Sequence, residues 1–165
     1  MNYLSKIKNK LLSKNVKLKG CTQLQINKIE EIAGNKLPQC YIEFLEVMGI
    51  YTNADNSPDN EYNYTGFEGE SMFYEDLFDN KEALEEQLEE DSRTDLQLTD
   101  NDFVFFCHQG YIFAFFKLDE GDNPPVYGYQ EGYKGETFPK LTDTLVEFYE
   151  LYLEFGKSPF GNLRK

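Results

Sequence analysis

The chain has 165 residues, enough for one domain with a core of its own. It is 40% hydrophobic and 28% charged, which excludes a disordered chain, and its longest apolar run falls well short of the roughly 18 residues that a membrane-spanning helix needs. The net charge of −14 argues against direct binding to nucleic acid or to an anionic membrane, and favours a basic protein as partner.

Residues 1–20 hold six lysines and no acid, so the rest of the chain sums to −20 against the total of −14. This segment reads as a solvated or loosely docked basic end, with a short helical pattern on Leu4, Ile7, Leu11 and Leu12. It has neither the unbroken apolar stretch nor the small-residue cleavage site of an export signal. Next, "TQLQINKIEEIAG" is bounded at both ends. Thr22 and Gln25 fit a capping box, Ile26, Ile29, Ile32 and Ala33 make an apolar stripe, and Gly34 suits a left-handed helix stop. A second helix follows in "LPQCYIEFLEVMG", with Pro38 in its first turn, Tyr41, Phe44, Leu45 and Met48 on one face, and Gly49 ending it.

Residues 50–70, rich in Asn, Asp, Tyr and Gly, read as a long loop with room for one short strand. "DNKEALEEQLEED" is a helix capped by Asp79 or Asn80 with a thin seam of Leu77, Leu84 and Leu88, its other faces nearly all carboxylate. In "FVFFCHQGYIFAFF" two apolar strands flank His108, Gln109 and Gly110, a three-residue hairpin loop with Gly110 as its left-handed residue. Pairing outward puts Cys107, Phe105 and Phe103 on one face with Tyr111, Phe113 and Phe115, and puts Val104, Phe106, Ile112, Ala114 and Phe116 on the other. Because both faces are apolar, the hairpin is expected at the centre of a sheet covered on both sides. "VYGYQEG" reads as an outer strand, and "LTDTLVEFYELYLEFG" as a buried C-terminal helix that starts at Thr142 or Thr144 and stops at Gly156.

The chemistry of an enzyme is hard to find. His108 is the one histidine, and its neighbour Cys107 points to the other side of the pleat. Cys21, Cys40 and Cys107 are odd in number and widely spaced, which fits free thiols in a reducing cytoplasm and gives no zinc-ligand spacing. Asn53, Asp55, Ser57 and Asp59 imitate a calcium loop but meet Pro58 and Tyr64 where Gly and Glu are required. The row Glu85, Glu86, Glu89 and Glu90 reads as a solvated helix face. No catalytic residue, metal or cofactor is expected.

The segment "INKIEEIAGNKLPQCYIEFLEVMG" resembles the N-terminal signature of the SUKH superfamily, whose eukaryotic members include fungal regulators of cell-wall assembly. The resemblance rests on Ile29, Ile32, Gly34, Leu37, Pro38, Tyr41, Phe44, Leu45 and Gly49. "FVFFCHQGYIFAFFKLDEGDNPPVYGYQEG" is similar to the family's sheet and "TFPKLTDTLVEFYELYL" to its last helix, so the likeness covers most of residues 22–155. It implies a single α+β domain over residues 21–156, with a basic segment at 1–20 and a tail at 157–165. The sheet would be mainly antiparallel and central, flanked by N-terminal helices and a C-terminal helix. Many bacterial members look like immunity proteins that neutralise a cognate toxin, often a nuclease, and the eukaryotic ones suggest a regulatory scaffold instead. Acidic and aromatic loop residues are the candidate contacts for a basic toxin: Tyr62, Tyr64, Phe67, Glu68, Glu70, Tyr74, Glu75 and Asp76, with His108 and Gln109 at the hairpin tip.

Overall fold

The computed structural model describes residues 2–52, 72–154 and 158–164. Helix α1 (Ser5–Ser13) is followed by strand β1 (Leu18–Lys19), α2 (Gln23–Ala33), α3 (Gln39–Met48) and β2 (Tyr51–Thr52). A 3₁₀ turn over Tyr74–Asp79 then leads into α4 (Asn80–Glu90). Strands β3 (Asp102–His108), β4 (Ile112–Lys117), β5 (Val126–Gln130) and β6 (Lys140–Thr142) precede α5 (Leu145–Tyr149), which runs on as a π-helical turn over Glu150–Glu154. The four longer strands form one antiparallel sheet in the order β3-β4-β5-β6, and β1 and β2 form a small antiparallel pair of their own. This is the expected single-domain α+β architecture.

The basic first segment is not a loose end. Leu4, Ile7 and Leu11 recur at helical spacing and are buried in the main core, so α1 turns its lysines outward and its apolar side in. The Leu4 N–H, which a helix start leaves without a backbone partner, donates to Oε2 of the buried Glu43 on α3 at 3.0 Å. In α2 the capping box forms as its spacing implies. Gln25 N–H reaches Thr22 Oγ1 at 3.3 Å, Thr22 N–H reaches Gln25 Oε1 at 2.8 Å, and Gly34 closes the helix at φ 74°. Helix α3 buries Tyr41, Phe44, Leu45 and Met48 as one face. At Gly20 the chain passes so close to α3 that a methyl group would run into the Glu46 carbonyl, and the Cys21 N–H donates to the Leu45 carbonyl at 2.7 Å beside it.

The central hairpin forms in a different register from the expected one. His108 pairs with Ile112, Cys107 with Phe113 and Phe106 with Ala114, and a bulge at Phe105 then shifts the pairing to Val104 with Phe115. The loop is accordingly Gln109 to Tyr111, one residue later than expected, with Gly110 left-handed at φ 81°. A bulge places two successive residues against one partner. Phe105 and Phe106 both turn toward the larger core, Phe103 packs beside them, and Val104 moves to the opposite face. The faces of Cys107, Phe113, Phe115, Phe106, Ile112, Ala114 and Phe116 are as the alternation implies. Among the described residues β3 is nonetheless the sheet's edge, not its centre, and β5 is interior because the three-residue β6 pairs with it.

Both faces of the sheet are covered. On the first, α1, α2, α3 and α5 pack over an aromatic core in which Phe148 lies 5.1 Å from Phe105 and 5.8 Å from Phe160, ring centre to ring centre. Thr144 starts α5 by accepting the Glu147 N–H at 3.1 Å; the expected stop at Gly156 lies outside the described residues. On the second face, Leu84 and Leu88 of α4 cover Val104, Phe113, Phe115 and Tyr129. Asp91, just past α4, accepts the Tyr129 hydroxyl at 2.6 Å and the Gly132 N–H at 2.9 Å. Burial pushes the Asp91 carboxyl up, but those hydrogen bonds outweigh it and hold the group below its usual range.

Candidate functional site

His108, Cys40 and Cys107 are buried and Cys21 is half-buried. His108 is the last residue of β3 and only 3% exposed, with its ring edge-on to Tyr111 at 5.4 Å. The sequence places it at an open hairpin tip; the shifted register draws it into the strand and leaves Gln109 and Gly110 exposed there instead. Burial pushes the Cys21 thiol up to about 11, and burial also raises Cys40 and Cys107, with the Glu43 carboxylate adding to the effect at Cys40. All three are therefore thiols, not thiolates, near neutral pH. Among the described residues no group of three or more His, Cys, Asp and Glu side chains is placed to hold a metal ion.

This state can be measured. A Cys21 pKa near 11 makes its thiolate about a hundredfold scarcer than that of an ordinary thiol at 9.0. Labelling of the native chain by a disulfide reagent at pH 8 is expected to run at least about tenfold slower than in urea for all three cysteines. A native thiol that reacts faster than the unfolded one would identify a nucleophile and overturn this assignment.

The structure builds a charged surface more clearly than a reactive one. Glu75, Asp76 and Asp79 are exposed on the 3₁₀ turn, and Glu82, Glu85, Glu86, Glu89 and Glu90 are exposed on α4. Lys81 is the one base within that stretch, and its ammonium donates to the Thr99 carbonyl at 2.7 Å. Because Leu84 and Leu88 point into the second-face core, the carboxylates are presented outward from a helix fixed on the sheet. The lysines of α1 lie on the main-core side of the sheet, opposite α4, where Lys6 comes within 3.9 Å of Glu150.

Of the expected contact residues, Glu75 and Asp76 lie on this acidic surface. Tyr74 is half-buried beside them, its N–H donating to the Gly49 carbonyl at 2.8 Å and its ring edge-on to Phe78 at 5.2 Å. Tyr62, Tyr64, Phe67, Glu68 and Glu70 lie outside the described residues. Gln109 is just beyond the far end of β3, seven residues on from Asp102 and so about 20 Å along the strand. In sequence the α4 carboxylates read as an ordinary solvated face. What spacing alone does not show is that the helix docks on the sheet with all of them exposed.

The model of the SMI1 / KNR4 family (SUKH-1) matches residues 20–152, and no curated protein matches the chain.

Proposed function

The chain belongs to the SMI1 / KNR4 family (SUKH-1). Proceeding from that membership, we propose that it is a non-catalytic immunity protein of the cytoplasm, which binds and neutralises a cognate toxin domain with a basic surface, such as a nuclease. The observation that supports the reading best is the outward acidic surface of the Tyr74–Asp79 turn and α4, held against the sheet. A field of that sign steers a cationic partner and can bring association to about 10⁸ M⁻¹s⁻¹ at low salt.

The test is rescue. The C-terminal domain encoded by the neighbouring upstream reading frame is expressed in cells with and without this chain, and survivors are counted. Killing that only this chain prevents supports the proposal; a harmless neighbour, or killing that this chain leaves unchanged, overturns it. With the purified pair, reversing Glu75, Asp76, Glu82 and Glu86 to Lys together is expected to slow association about 100-fold at low salt and to flatten its salt dependence. Unchanged rate and salt dependence would remove the acidic surface from the interface. A regulatory scaffold of the cell-wall-assembly kind would instead show several partners, each bound far more weakly than the picomolar range open to a dedicated inhibitor pair.

A further inference from the structure

Beside the acidic surface a cleft of about 450 Å³ opens between the C-terminal turn of α2, the turn before α4 and the first residues of β3. Its apolar lining includes Ile29, Ile32, Leu77, Phe78 and Leu118. Ile29, Leu77 and Leu118 are buried parts of the main core, whereas Ile32, in the same apolar stripe as Ile29, is 56% exposed. A lone exposed aliphatic residue is ordinary; here it continues an apolar wall into a hollow. The other end is polar, with Asp100 and Asn101 in the turn that leads into β3. Phe78 and Lys81 of the lining are flanked in sequence by the exposed Asp79 and Glu82, and Lys81 already donates to the Thr99 carbonyl at 2.7 Å.

We propose that this cleft receives a bulky apolar side chain of the basic toxin, whose neighbouring lysine or arginine seats on Asp100 at its polar end. The proposal rests on the toxin-binding reading and adds where the anchor goes. Binding energy in protein interfaces concentrates on a few side chains that fill pockets, while charges around them set approach and register. An apolar hollow whose polar end carries the exposed Asp100 is the complement of an apolar residue beside a basic one. The alternative use of this edge, addition of a partner's strand to β3, is opposed by the bulge at Phe105, which breaks the regular ladder an added strand would need.

The probe is a random peptide library displayed on phage and selected on the full chain. Enriched peptides are expected to share an aliphatic or aromatic residue flanked by lysine or arginine. The variants Ile32→Lys and Asp100→Lys, both changing exposed residues, are expected to weaken their binding about 30-fold while leaving the melting temperature unchanged. Peptides without basic residues, peptides that bind both variants as well as the parent chain, or no enrichment would each overturn the cleft as the anchor site. The rescue assay separates the two proposals. If the parent chain and Ile32→Lys rescue equally and bind the toxin domain equally, the cleft proposal falls and the immunity reading stands. If neither rescues, the immunity reading falls and the peptide selection alone decides the cleft.

Discussion

Truncating Phe148 to Ala is expected to lower the stability of the protein by about 3–5 kcal/mol, a large share of the total for a domain of this size. Phe148 is fully buried and touches two strand residues on the sheet, Phe105 at 5.1 Å and Phe106 at 5.9 Å between ring centres, as well as Tyr152 at 6.0 Å and Phe160 at 5.8 Å. These rings belong to β3, α5 with its π-helical extension and the C-terminal residues, so collapse around the cavity would require several elements to move together. The midpoint of urea unfolding measures the loss, and Leu24→Ala, at a residue 79% exposed, serves as a control expected to stay within about 0.5 kcal/mol. A Phe148→Ala chain no weaker than the control would mean that the aromatic cluster is not the main core.

Asp102→Ala is expected to cost about 3 kcal/mol, the low end for breaking a buried ion pair. The Asp102 carboxylate is 2% exposed and accepts the Lys117 ammonium at 2.7 Å and the Thr99 N–H at 2.7 Å, so its removal leaves both donors without it. The Lys117 side chain is 33% exposed and keeps some water, which is why the low end applies. Exchanging both partners, Asp102→Ala with Lys117→Met, is expected to recover at least about half of the loss, because no unpaired charge then remains. The pair also predicts a dependence on pH. Burial pulls the Lys117 pKa down, but the hydrogen bond and charge of Asp102 outweigh it and raise the group above its ordinary value. A raised lysine contributes stability that is fully present below the unfolded value of about 10.4 and is lost as pH rises through the folded one. The deficit of Asp102→Ala should thus be steady from about pH 7 to 9 and shrink above about pH 10.5. A deficit that grows on the alkaline side would contradict the pairing.

Local chemistry is legible in the sequence wherever a residue's role is settled within one turn of chain. Thr22, Gln25 and Gly34 mark the ends of α2 because capping satisfies the backbone over three or four residues, and the spacing of Tyr41, Phe44, Leu45 and Met48 carries its own face assignment. What depends on distant partners is not legible. The apolar stripe of α1 is visible at Leu4, Ile7 and Leu11, but six lysines within the first 20 residues outweigh it, and the docking is fixed by the core and by Glu43 on another helix. The bulge at Phe105 has no marker, since a run of Phe, Val, Phe, Phe and Cys is apolar on both faces in any register. Strand β6 is too short to stand out without β5 beside it. The acidic surface is present as composition, and only the direction in which Leu84 and Leu88 point turns it into a face.

The bulge at Phe105 also bears on how the chain avoids its own copies. Among the described residues the unbroken apolar run from Phe103 to Cys107 lies on β3 at the sheet's edge, where a regular strand would offer an open template to another copy during synthesis and folding. The kink at Phe105 spoils that template, and the charge of Asp102 at the strand's start, bound to its own Lys117, adds a barrier to intermolecular pairing. The irregularity that turns both Phe105 and Phe106 into one core thus also works against the stacking of a chain so rich in aromatic residues into amyloid-like fibres.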